Sequence, residues 1–140
     1  MSDLIDEGKN DLLNEVLDEI ENSLKDPRGI VFHQRRLAFA LSLGSVQLLE
    51  RFLKKKSLLK TGGKINHLWL KKKKENVKNL IDSQTISSVN SLENFDSILD
   101  KTYKIEKERN ELAYGKSTSE KLLRELINIF LDIKKEVEHA

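Results

Sequence analysis

Residues 117–137 read STSEKLLRELINIFLDIKKEV. Leu122, Leu123, Leu126, Ile127, Phe130, Ile133 and Val137 recur every three or four residues, which puts them on one face of an α-helix. Ser117-Thr118-Ser119-Glu120, just ahead of them, has the form of a capping box that satisfies the first orphan N–H groups of such a helix. Gly115 stands where a preceding helix would be capped at its C-terminus. The stretch therefore predicts a last helix opened by that box, and a helix before it that ends near Tyr114.

The same period extends upstream. Leu12, Leu13, Val16, Leu17, Ile20 and Leu24 predict a first helix from about Asp3 to Leu24, closed by the turn Asp26-Pro27-Arg28-Gly29. A second helix is expected from Ile30 to Lys56, with Leu37, Leu41, Leu48, Leu49 and Phe52 on its inner face. Ala38, Ala40, Ser42, Gly44 and Ser45 are small, so another backbone can come close midway along it, within the domain or at a dimer seam. Thr61-Gly62-Gly63 marks a loop. A third helix is expected from Lys64 to Asp82, interrupted by four lysines, followed by a polar connector over Ser83–Ser91 and a fourth helix from Leu92 to Tyr114. No segment has the period-two alternation of a strand, and one proline with six glycines among 140 residues does not supply the turns of an all-β fold. The fold class is all-α: an up-and-down bundle of about five helices forming a single domain over residues 1–140.

Composition narrows the function. There is no cysteine, hence no disulfide, thiol nucleophile or thiolate metal site. No His, Asp and Glu cluster has metal-ligand spacing, so neither metal nor cofactor is expected. The acidic start MSDLIDEGKN is not a signal peptide, and no apolar run is long enough for a membrane helix, so the expected location is the cytoplasm. The formal net charge of +2 conceals a polar distribution. Residues 1–24 carry eight acids and one base, whereas residues 51–74 carry ten bases and no acid. That basic block, with Lys71, Lys72, Lys73 and Lys74 at its end, has the electrostatics of a phosphate-binding surface; the alternative is a solvated face paired with the acidic first helix. Phe52 and Trp69 are its only aromatics, too few for a base-stacking platform.

The fourth helix holds an anomaly. Phe95, Ile98, Ile105, Leu112 and Ala113 share a face, and Arg109 projects from the middle of it. A guanidinium on an apolar surface is costly unless paired. Glu106, three residues earlier, is the structural partner if the pairing is internal; a polar dimer seam and an anion site are the other outcomes.

Glu108-Arg109-Asn110-Glu111-Leu112-Ala113-Tyr114-Gly115 resembles the signature of HEPN domains, helical bundles of prokaryotic toxin–antitoxin, CRISPR-linked and defence systems. Their motif is Arg, often followed by Asn, with His a few residues later, near the end of the penultimate long helix. Arg109 and Asn110 match, Ala113 matches the small residue that often precedes the histidine, and Tyr114 stands where the histidine belongs. The resemblance implies a homodimer with two motifs facing one cleft. There Arg109 binds a phosphate of RNA or a nucleotide, and Asn110 orients it. In active members the motif performs metal-independent RNA cleavage, with arginine stabilising charge and histidine moving the proton. Tyrosine, with an ordinary pKa near 10, is a poor base at neutral pH. Two functions follow from the resemblance: a HEPN-like domain without catalysis that binds RNA, a nucleotide or a partner nucleotidyltransferase, and an active ribonuclease or toxin using Arg109, Asn110 and Tyr114. A helical dimer with a buried Arg109–Glu106 pair and no ligand is the third. His33, His67 and His139 read as surface or packing residues.

Overall fold

The computed structural model describes residues 2–89 and 92–140, apart from the side chains of residues 2–10 and 67. Among them are five α-helices: α1 (Ser2–Lys25), α2 (Gln34–Lys55), α3 (Lys74–Asp82), α4 (Phe95–Tyr114) and α5 (Glu120–Glu138). Two short 3-10 turns, Ile30–His33 and His67–Lys71, precede α2 and α3. The chain is an all-α bundle, as the helical periods predict. Helix α2 is its hub and packs on α1, α4 and α5, while α4 also packs on α5.

The apolar face of each helix meets in one cluster. Leu37, Leu41, Leu48, Leu49 and Phe52 from α2 are buried with Ile98, Ile105 and Leu112 from α4 and Leu123, Phe130, Ile133 and Val137 from α5. Burying each side chain of this size stabilises by about 1.5–3 kcal/mol. The small residues of α2 act within the domain. A Cβ on Gly44 would stand 2.7 Å from Phe130 Cε1 and 3.2 Å from Val16 Cγ1, so α5 and α1 close on α2 where it has no side chain.

Several boundaries differ from the sequence expectation. Helix α2 begins at Gln34, after the 3-10 turn Ile30–His33, and α4 begins at Phe95. The third helix does not run from Lys64, because the chain makes a 3-10 turn at His67–Lys71 and becomes α-helical only at Lys74. The lysine run, which lacks apolar residues to bury, is where helicity is broken. The polar connector is tied down at its start: Lys60 donates from its backbone to the Gln84 carbonyl at 2.8 Å, and Ile86 to that of Leu58 at 2.8 Å, forming one antiparallel bridge between Leu59 and Thr85. Helix α5 is capped by Ser119, whose hydroxyl accepts from the Leu122 N–H at 3.2 Å, so the cap lies two residues later than a box opened by Ser117.

Candidate functional site

The end of α4 is held by α2 in addition to its own Gly115 cap. The last carbonyls of a helix lack intrahelical partners. Gln34, the first residue of α2 and buried, donates from Nε2 to the Leu112 carbonyl at 2.9 Å and to the Lys116 carbonyl at 3.0 Å. Its Oε1 accepts from the Thr118 N–H at 2.9 Å. Arg35 donates from Nε to the Ala113 carbonyl at 3.1 Å, and its cation sits favourably at the negative end of the α4 dipole. Gly115 caps α4 in extended conformation, without left-handed φ. Glycine is required there by space: a Cβ would stand 2.4 Å from the Glu111 carbonyl oxygen and 2.7 Å from Glu111 Oε1.

This clamp presents the motif residues. Arg109 is half-buried, and its guanidinium carbon lies 5.1 Å from the centre of the Phe39 ring of α2, a cation–π contact. Tyr114 meets the same ring edge-on, at 6.1 Å and 80°, and is 75% exposed. Asn110 is exposed, with its Oδ1 3.5 Å from an Arg109 nitrogen, the outer limit of a hydrogen bond. Arg109, Asn110, Tyr114 and Phe39 thus form one surface at the junction of α2 and α4.

The expected Arg109–Glu106 pair does not form. Glu106 is buried and accepts a hydrogen bond from the Ser42 hydroxyl of α2, also buried. Three residues leave Glu106 and Arg109 about 60° apart around the helix and about 4.5 Å apart along it. Glu106 is held by Ser42 in the small-residue stretch of α2, while Arg109 rests on Phe39, three residues before Ser42. Among the described residues, no carboxylate makes an ion pair with Arg109.

The lysine run is not part of this surface. Lys71, Lys72 and Lys73 are exposed, whereas Lys74 Nζ lies 2.8 Å from Asp100 and 3.8 Å from Asp96, near the start of α4. The hydrogen bond to Asp100 raises the Lys74 pKa above its ordinary value. Asp100 and Arg109 are nine residues apart, about 14 Å along the helix axis. Lys74 is paired with α4 instead of the acidic first helix, and Lys55 Nζ donates to the Val137 and Glu138 carbonyls at the end of α5.

Of the histidines, His33 is buried and has a structural position. Its Nδ1 lies 2.9 Å from Glu19 Oε1 and its Nε2 2.8 Å from Asp26 Oδ2, linking α1 to the turn that follows it. His139 is exposed at the end of α5, and the His67 side chain lies outside the described residues. Among the described residues, no group of three or more His, Asp or Glu could hold a metal ion, and no helix is long and apolar enough to cross a membrane.

Sequence reasoning missed the contribution of α2. Phe32, Arg35, Arg36 and Phe39 are spaced i, i+3, i+4 and i+7, one face of a helical turn, and interleave two aromatics with two arginines. That spacing was the available signal. Phe32 is 61% exposed, with the Arg28 guanidinium 4.9 Å above its ring. A polar cleft of about 160 Å³ is lined by Val31, Phe32, Gln34, Arg35 and Arg36 on one side and Gly115 and Ser117 on the other. Compared with known proteins, the chain matches no family model, no curated protein and no solved structure.

Proposed function

We propose that this chain is a HEPN-like domain that binds RNA through Arg109 and has lost catalysis. The observation that carries the reading is the state of Arg109. Its guanidinium lies at the surface, held by an aromatic ring and unpaired with any described carboxylate, beside an exposed amide and an exposed phenol. An arginine fixed in this way keeps most of its N–H donors for a planar, bidentate anion such as a phosphodiester. Asn110 orients that phosphate, and Tyr114 donates a hydrogen bond to it. The motif has no histidine to move a proton, which argues for binding without turnover. The assembly proposed with this function is a homodimer in which two such surfaces face one cleft, and a small nucleotidyltransferase is the proposed protein partner.

The test is RNA binding and cleavage by the purified chain, in EDTA, beside Arg109→Ala. The expected result is salt-sensitive binding without cleavage, and loss of binding in the folded variant. Unchanged binding by Arg109→Ala would refute the site. Cleavage by the wild type that Arg109→Ala abolishes would refute the loss of catalysis and assign proton transfer to the Tyr114 region.

A further inference from the structure

The cleft beside the α4–α5 turn has the chemistry of a second anion pocket. Two arginines line it, Arg35 and Arg36, and no carboxylate is among its lining residues. Arg35 is anchored through Nε to the Ala113 carbonyl, so its position is set by α4 while its terminal nitrogens have no partner among the described residues. Arg36 is 64% exposed, and its one ion-pair contact among the described residues, to Glu19, is loose at 3.9 Å. Glu111 stands at the far edge, its Oε1 close to Gly115, and neither it nor Glu19 lines the cleft itself. The cleft holds about five water volumes, enough for a phosphodiester and too small for a whole nucleotide.

The groups around the cleft indicate what the phosphate is attached to. Phe32 forms part of its wall and Tyr114 immediately precedes Gly115 in the other, and both rings are mostly in water. An exposed aromatic face beside an arginine can stack one unpaired base, so these two rings suit two bases, not an extended platform. A duplex cannot use them, because its bases are already stacked.

We propose that the Arg35–Arg36 cleft is a second phosphate pocket, and that with Arg109 it holds two phosphates of one single-stranded RNA whose bases stack on Phe32 and Tyr114. This rests on the reading of Arg109 as a phosphate ligand and adds the strandedness of the RNA and the second half of the site. Arg109 and Tyr114 both contact Phe39, which stands one turn of α2 beyond Arg35 and Arg36.

The experiment is fluorescence anisotropy with a labelled ten-nucleotide RNA, alone and annealed to its complement, over a series of salt concentrations. Arg36→Ala and Phe32→Ala are the informative variants, since both side chains are exposed and neither holds α4. Each is expected to weaken single-strand binding about tenfold, and Arg36→Ala to lower the salt slope by about one. Duplex bound as tightly as the single strand would overturn the stacking assignment. Loss of binding in Arg109→Ala with both of the other variants unaffected would overturn the cleft and leave the Arg109 reading standing. The converse, with Arg36→Ala and Phe32→Ala impaired and Arg109→Ala unaffected, would retain the cleft as an RNA site and remove Arg109 from it. Absence of binding by the wild-type chain would refute both.

Discussion

Replacing Gln34 by methionine keeps the length of the side chain and removes its amide. Three hydrogen bonds go with it: two from Nε2 to the Leu112 and Lys116 carbonyls, and one from the Thr118 N–H to Oε1. A net hydrogen bond contributes about 1 kcal/mol, and a buried group left without a partner costs about 1–3 kcal/mol. Leu112 is buried, so its carbonyl bears the larger loss; the Lys116 carbonyl and the Thr118 N–H belong to less buried residues where water takes over part of the bond. The sum is about 2–3 kcal/mol, a large share of the roughly 5–15 kcal/mol that holds a domain of this size together. At a urea m-value of about 2 kcal/mol/M the unfolding midpoint falls by about 1–1.5 M. The assay is urea denaturation followed by circular dichroism, with amide exchange at Thr118 as a local readout. The Thr118 amide is expected to lose protection more than amides in the middle of α2. A midpoint within about 0.2 M of wild type, with Thr118 still protected, would refute the view that Gln34 is the C-terminal clamp of α4.

Three further outcomes follow from particular contacts. Gly44→Ala places a Cβ 2.7 Å from Phe130; helix propensity gains about 1 kcal/mol and overpacking costs about 1–3 kcal/mol, so the melting temperature should drop by a few degrees. A rise in melting temperature would mean that α2 and α5 are not in close contact there. The Asp26 carboxyl is held well below the ordinary carboxylate range, chiefly by the Arg28 guanidinium and then by the Arg28 N–H and His33. A depressed folded pKa contributes stability above the unfolded pKa near 4 that is lost as pH falls below it, so Asp26→Asn should flatten the drop in urea midpoint between pH 7 and pH 3; an equally steep drop would refute this. On the proposed HEPN-like reading, Tyr114→His supplies the basic group that the motif of such domains carries, on an otherwise unchanged surface. RNA cleavage in EDTA is the expected gain, and continued inertness in a folded, RNA-binding variant would place the loss of catalysis in more than this residue.

What could be read from the sequence depended on range. Leu122 to Val137 lie within five turns of one helix, so their period announces α5 before any tertiary contact is known. The same holds for the α2 face from Leu37 to Phe52 and for Gly44, whose smallness is explained by the Phe130 ring. Boundaries were harder because they turn on single hydrogen bonds. Ser117 and Ser119 are equally good capping residues, and the choice of Ser119 follows from Gln34, which takes the Thr118 N–H from 84 residues away.

The site separates local from distant information even more sharply. Arg109-Asn110 and Tyr114 form a short word in one helix and were found as such. The environment of Arg109 was not, because local spacing offers Glu106 as its partner, and no local rule reveals that Ser42 already occupies that carboxylate or that Phe39 supplies a ring for the guanidinium. The basic block is dispersed for a related reason. Charge density along a chain equals charge density on a surface only while the chain runs along one face, and here the lysines leave α2, round a loop and reach α3 beside Asp96 and Asp100. The arginines near the motif are few, but Arg35, Arg36 and Phe39 share a phase of α2, and Phe32 precedes them in the 3-10 turn that leads into it. Phase within a helix therefore located cation and aromatic together where density did not. The comparison of Arg36→Ala with Lys72→Ala, both exposed cations, puts this to the test: the first is expected to weaken RNA binding about tenfold and the second by less than twofold. Equal losses would return the binding surface to the lysine block and undo the argument from phase.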